Sequence, residues 1–144
     1  MTKVPTRSPT HEDIELGRLA SMGLELEDIA TDAAVELAAL IELAEDRGRP
    51  PSHYVAAVAL ATELRIAPRE AAITLKICAG NCQRYGALDL IDALIAKQAN
   101  VAWQPVDCLD HCDNAPACEL HGDHGVLVIA PAKPDDVIEA LNSL

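Results

Sequence analysis

Up to about residue 70 the apolar positions recur at helical spacing. The opening stretch, residues 1–9 (MTKVPTRSP), has no such period and holds two prolines with Lys3 and Arg7, so it reads as a flexible tail. Thr10 then precedes HEDIELGRLASM with Asp13 three residues on, a variant of the capping box that marks a helix start. Ile14, Leu16, Leu19 and Met22 give that helix a rough apolar side, and Gly23 is its expected stop. The next segment, ELEDIATDAAVELAALIELAEDRG, predicts one long amphipathic helix. Ile29, Ala33, Val35, Leu37, Leu40, Ile41, Leu43 and Ala44 form its apolar face, Glu36, Glu42, Glu45 and Asp46 fill much of the rest, and Gly48 ends it. Pro50-Pro51-Ser52 starts another helix with Ser52 as cap, and Tyr54, Val55, Val58, Ala59, Ala61 and Leu64 pack inward until Pro68 interrupts. Residues 10–70 are thus expected to be a wholly helical region whose stripes form core and carry no chemistry of their own.

The pattern changes after residue 70. Ile73-Thr74-Leu75-Lys76-Ile77 has strand character, Arg84 to Gln98 is helical with Leu88, Ile91, Leu94 and Ile95 on one face, and residues 101–106 read as a second strand. A loop over 107–114 follows. Two short strands, 117–120 and 126–129, flank His121-Gly122-Asp123-His124-Gly125, a hairpin signal. Pro134-Asp135-Asp136 opens a last helix, with Pro in its first turn and acids at its N-terminus. The order β-α-β-β-β-α fits a small thioredoxin-like layer over residues 71–144. The fold class expected is therefore α+β or α/β: an N-terminal helical region followed by a thioredoxin-like domain.

Composition narrows the function. Half of the 144 residues are hydrophobic, enough for a core, but aromatics are only Tyr54, Tyr85 and Trp103. Acids outnumber bases 23 to 11, a formal net charge of −12. Phosphate backbones and anionic lipids attract Lys and Arg, so neither nucleic acid nor an anionic membrane is an expected partner. The scarcity of aromatics also removes the stacking platform of a single-strand binder. No apolar run approaches the ~20 residues of a membrane span, and the N-terminus shows no apolar signal core, so a cytoplasmic protein is expected. There is no Ser-His-Asp signature, no G-x-G-x-x-G after a strand and no Walker loop, so no catalytic site of its own is expected.

The candidate chemistry is in the cysteines: Cys78, Cys82, Cys108, Cys112 and Cys118, none of them earlier in the chain. An odd, clustered set suits metal binding or redox work better than a disulfide scaffold. Cys78 and Cys82 bracket three residues, as do Cys108 and Cys112, and each pair follows a strand. If those strands are adjacent and parallel, both loops meet at one sheet edge, and four thiolates there suit a soft metal centre. Three centres compete: a 2Fe–2S cluster with two cysteines to each iron, zinc with four sulfurs, and a dithiol redox pair. Neither spacing is C-x2-C, which counts against the usual zinc knuckle and the thioredoxin-type couple. Gly80 and the small loop residues let backbone amides approach bridging sulfides.

Val106-Asp107-Cys108-Leu109-Asp110-His111-Cys112-Asp113-Asn114-Ala115-Pro116 resembles the xCLGxCxxAP signature of the thioredoxin-like 2Fe–2S ferredoxin family, which includes the small iron–sulfur subunits of respiratory complex I and of NAD-linked hydrogenases and formate dehydrogenases. Ile77-Cys78-Ala79-Gly80-Asn81-Cys82-Gln83-Arg84-Tyr85-Gly86-Ala87 is similar to the family's VCxxxxCxxxGA segment, and Val128 through Pro134 to Leu141 to its closing strand and helix. A weaker likeness extends back to about residue 35. The resemblance implies that Cys78, Cys82, Cys108 and Cys112 each ligate one 2Fe–2S cluster. Three departures stand out: the first pair is one residue shorter than the usual C-x4-C, Asp110 replaces a glycine, and residues 68–73 replace an aromatic linker. They point to a divergent or stand-alone member.

The function expected is a one-electron carrier between a flavoprotein or iron–sulfur partner and an acceptor, with the role of electron-transfer subunit in an NAD(P)-linked oxidoreductase, and a homodimer, both left open. The alternative is a zinc-stabilised binding module on the same four cysteines. Cys118 is expected to be a buried apolar filler, with a thiol sensor as the other reading. His111 reads as a solvated loop residue, His121 and His124 as exposed flanks of the turn, and Pro116 as the place where thioredoxin folds commonly carry a cis bond. Asp107, Asp110, Asp113, Glu119 and Asp123 are expected to crowd the cluster edge as an acidic face.

Overall fold

The computed structural model describes residues 14–67, 73–80, 86–109, 116–123 and 125–143. The tail over 1–9, the helix start at Thr10 and the interruption at Pro68 lie outside the described residues. The chain is of mixed α+β class. Its helical layer is built from α1 (Leu16–Ile29), α2 (Leu37–Arg47) and α3 (Pro51–Ala61), with short strands β1 (Ala34–Val35) and β2 (Arg65–Ile66).

α3 organises this layer. Ser52 and Tyr54 through Val58 are all buried, so the helix is covered on every side rather than along one stripe. It packs against α1, α2, α4 and β4. Ala56 and Ala57 keep its girth small enough for several neighbours. Gly23, expected to stop α1, instead lies inside it. A Cβ there would stand 3.0 Å from Thr62 Cγ2 and 3.2 Å from the Ala61 carbonyl oxygen. The glycine lowers helix propensity by ~1 kcal/mol relative to Ala, and what it permits is the close approach of α1 to the end of α3.

The single helix expected over Glu25–Gly48 is two helices. Glu25 to Ile29 finish α1, and the chain then turns through Asp32 (φ 53°) and Ala33 (φ 62°). Thr31 and Ala34 exchange backbone hydrogen bonds of 2.9 and 3.0 Å across this turn. β1 then pairs in parallel with β2, supported by Arg65 N–H donating to Ala33 O (3.0 Å) and Ala67 N–H to Val35 O (2.8 Å). The region is therefore not wholly helical. A straight helix would carry α2 away from α3; the break lets α1 and α2 both pack on it. Gly48 does end α2.

Across the seam of α1, α2 and α3, Tyr54 Oη donates to Glu25 Oε2 at 2.6 Å, and Arg49 Nη1 donates to Tyr54 Oη at 3.2 Å. Burial, and then the hydrogen bond to Glu25, hold the phenol pKa above its ordinary value. Arg47 and Arg49 lie 3.3 and 3.5 Å from the Glu25 carboxylate. Such part-exposed ion pairs contribute about 0–1 kcal/mol, so apolar burial is what holds the layer.

The second layer is β3 (Thr74–Cys78), α4 (Ala87–Ala96), β4 (Ala102–Val106), β5 (Cys118–Gly122), β6 (Gly125–Ile129) and α5 (Pro134–Ser143), the β-α-β-β-β-α order expected. The sheet order is β4-β3-β5-β6, with β3 and β4 parallel and the other pairs antiparallel. Leu75, Ile77, Trp103, Cys118 and Leu120 are buried on one face. Lys76, Gln104 and Glu119 occupy the alternate register positions on the other. Leu88, Ile91 and Leu94 of α4 are buried and Ile95 packs beside them. One continuous apolar cluster runs from Ile14 and Leu19 through α3 to the sheet and Val137 of α5. A cis peptide joins Ala130 to Pro131. The bond before Pro116 involves Ala115, outside the described residues. Among the described residues no helix is long and apolar enough to cross a membrane.

Ser52 is not the cap expected of it. Pro50 holds the N-cap position and offers no side-chain bond. The cap comes from α4: Asp92 Oδ1 accepts from Ser52 N–H and Oδ2 from Ser52 Oγ, both at 2.8 Å. A carboxylate at a helix N-terminus also complements its dipole. Asp92→Ala should therefore lower unfolding stability by about 1–2 kcal/mol, read as a lower urea midpoint with unchanged slope. An unchanged midpoint would show that this long-range cap carries no weight.

Candidate metal centre

Two of the four predicted ligands are among the described residues, and the sheet brings them to one edge. β3 and β4 run in parallel register from Thr74↔Ala102 to Cys78↔Val106. Cys78 thus closes β3 where β4 ends, and Cys108 follows two residues beyond its register partner. Ala79 N–H donates to Val106 O at 2.7 Å, which extends the ladder past the strand ends. Cys78 Sγ donates to the Asp107 carbonyl at 3.4 Å, and Cys78 N–H to Ala117 O at 3.3 Å.

Gly80 makes this approach possible. A Cβ on it would collide with the Asp107 carbonyl oxygen and crowd the Asp107 backbone. Sequence reasoning noted Gly80 as a small loop residue but missed this clamp of backbone on backbone. The available signal was a glycine two residues past a strand-terminal cysteine. Cys82 and Cys112 lie outside the described residues, as do Asp110, His111, Asp113 and His124. Among the described residues no cluster of three or more His, Cys, Asp or Glu side chains is gathered to hold a metal.

Strand parity separates the cysteines further. Ile77 pairs with Cys118 and shares its face, so Cys78, one residue on, takes the alternate position. Cys118 is fully buried in the main core. Cys78 is buried in a separate small cluster with Ala87, against which Leu109 packs. Cys108 is only partly buried and Asp107 is exposed. No disulfide joins Cys78, Cys108 and Cys118 to one another. Comparison with protein-family models and with curated proteins finds no match to this chain.

The described members of the expected acidic face do not gather at the cysteine edge. Because β5 runs antiparallel to β3, the hairpin lies at the opposite end of the sheet from the cysteine loops. Asp123 sits in that turn, and Glu119 lies mid-strand between Lys76 and Val128. His121, expected to be exposed, is partly buried and stands 2.8 Å from Glu119. Neither it nor Asp123 reaches the cysteine edge; of the described acids in that set, Asp107 does.

The two described thiols at this edge, Cys78 buried at the end of β3 and Cys108 partly buried in the segment after β4, are soft donors, and the Gly80–Asp107 backbone contact lies beside them. Cys118 has the opposite character. Burial, aided by Glu119, pushes its thiol pKa from 9.0 up to about 12. It should resist thiol reagents at pH 8 in the folded chain and react on unfolding. A raised pKa means that the unfolded state loses this proton first. Its contribution to stability is whole below pH 9 and lost as pH climbs toward 12. Urea midpoints compared for the wild type and Cys118→Ala across that range measure it; parallel curves would contradict the assignment.

Gly80→Ala should destabilise the fold by about 1–3 kcal/mol through that backbone clash and reduce metal content at equal protein concentration. Metal analysis beside a denaturation curve separates the two effects, and full metal loading in a stable variant would remove Gly80 from the site.

Proposed function

We propose that this chain is a one-electron carrier that holds a single 2Fe–2S cluster on Cys78, Cys82, Cys108 and Cys112. The observation that carries the reading is the parallel register of β3 and β4, which sets the Cys78 and Cys108 loops side by side. The resemblance of both cysteine segments to the thioredoxin-like 2Fe–2S ferredoxin family supports it, as does the absence of any nucleotide or flavin motif that would make the chain a hydride-transfer enzyme alone. When bound, the cluster would supply one-electron chemistry.

The chain's own residues would do the rest. The two loops would offer two thiolates each. Gly80 would let the first loop close on the second, and Cys78, buried beside Ala87 and Leu109, would be shielded from water on its protein side. The exposed Asp107 and partly buried Cys108 mark the side from which an electron would arrive or leave. The partner would be a redox protein, a flavoprotein or iron–sulfur protein of the cytoplasm, with no nucleic acid involved at a net charge of −12.

An absorption spectrum of protein purified without oxygen tests this. A visible band bleached by dithionite, with iron and sulfide in equal amounts, is the expected result. Cys78→Ser or Cys108→Ser should diminish the band, because Ser is a harder and poorer ligand for iron, while Cys118→Ser should leave it intact. Colourless protein carrying stoichiometric zinc would replace the carrier with a zinc-stabilised binding module on the same cysteines.

A further inference from the structure

Where the start of α2, the end of α4 and β4 meet there is a cavity of about 410 Å³. That lies within the size range of small-molecule sites. Leu37 and Ile41 of α2, Leu94 and Ile95 of α4 and Trp103 of β4 give it apolar walls. Trp103 is only 4% exposed, yet its indole Nε1–H has no hydrogen-bond partner among the described residues. A buried indole N–H ordinarily finds one. Glu36 and Gln98 line the same cavity and are exposed, so they mark its open side. Gln98 holds a left-handed backbone (φ 55°) just past α4, where glycine is the usual residue. Its N–H donates to Ile95 O at 3.0 Å and that of Ala99 to Leu94 O at 3.1 Å, which fixes the turn. A long amide side chain is thus kept at the mouth against the backbone's preference.

From this we infer that the cavity is a binding site for a small, uncharged, apolar molecule that carries a carbonyl oxygen. Each part of that description has its residues. The apolar body answers the walls. The carbonyl answers Trp103: an indole Nε1–H is a donor only, so its partner must be an acceptor. The lack of charge answers the mouth. Glu36 and a net charge of −12 repel a carboxylate, and no Lys or Arg is among the described lining residues to pair with one. An ammonium group would meet only the exposed Glu36 and would leave the indole N–H without its acceptor. The site is separate from the cysteine edge. Trp103 pairs with Leu75, three register positions before the Cys78↔Val106 pair, roughly 10 Å along the strand. None of the described cysteines lines the cavity. The inference therefore stands or falls independently of any metal at that edge.

Trp103 is the chain's one tryptophan, so its indole N–H gives a single resonance in a proton–nitrogen correlation spectrum. Titrating the full chain with tetralone, a bicyclic aryl ketone, should move that resonance downfield to saturation. Tetralin, the same skeleton without the oxygen, should bind about tenfold more weakly. Naphthoate, a carboxylate of similar size, should not displace tetralone. Trp103→Phe keeps an apolar ring and removes the donor. By calorimetry it should lower tetralone affinity by about tenfold and leave tetralin affinity unchanged. Ala38→Phe, at an exposed lining position, narrows the cavity and should weaken both ligands with an unchanged far-ultraviolet circular dichroism spectrum. An indole resonance unmoved by tetralone would overturn the inference. So would equal wild-type affinity for tetralone and tetralin, naphthoate bound more tightly than tetralone, or full tetralone affinity in Trp103→Phe. If that variant does not fold, the wild-type comparison of ketone with hydrocarbon decides alone.

Discussion

The parallel alignment of β3 with β4 is the constraint on which the rest of this molecule depends. Parallel neighbours cannot be joined by a tight turn, so the chain must leave the sheet, form α4 and return. That crossover forms a helix whose Leu88, Ile91 and Leu94 are buried in the core it shares with the sheet. It also makes both strands end on the same side. Loops that are about thirty residues apart in sequence therefore become neighbours, and the ladder runs one bond past the strands through Ala79 and Val106. An antiparallel pair would have placed Cys78 and Cys108 at opposite ends of the sheet.

The helical layer is locked to that sheet rather than appended to it. No residue of α3 is exposed; α1, α2, α4 and β4 surround it. Its first turn is capped by Asp92 of α4, which satisfies donors that Pro50 cannot. Gly23 and the turn at Asp32 and Ala33 serve the same end: one lets α1 come close and the other lets α2 return. A single core results, continuous from the helices to the sheet.

The three described thiols, two in the sheet and one just past β4, have distinct characters because of parity and position. Cys118, on the core face, is desolvated and held protonated, which suits packing and disfavours ligation. Cys78, one register step away and on the alternate face, sits in its own small cluster with a backbone carbonyl beside its sulfur. Cys108 is on the loop side of the same edge. A one-residue slip of β3 would exchange the environments of Ile77 and Cys78, so the hydrophobic pattern that fixes the register also fixes which thiol faces the loops.

The sequence by itself determined the element order from residue 73 onward, the buried face of α4 and the expectation that Cys78 and Cys108 share an edge. These follow from short-range periodicity and from the rule that a crossover joins parallel strands. It also marked Cys118 as packing. It misled over residues 25–48, because an amphipathic stripe is continuous whether or not the helix beneath it breaks. The turn at Asp32 and Ala33 is decided by what α1 and α2 must both reach, which no local window contains. Ser52 looked like a cap because of its residue type, while its true partner lies forty residues away. Asp123 and His121 lay close in sequence to the cysteines, yet the antiparallel direction of β5 carries them to the far end of the sheet. Local pattern sets what each segment becomes; strand direction and helix packing, which are relations between distant segments, decide which side chains meet.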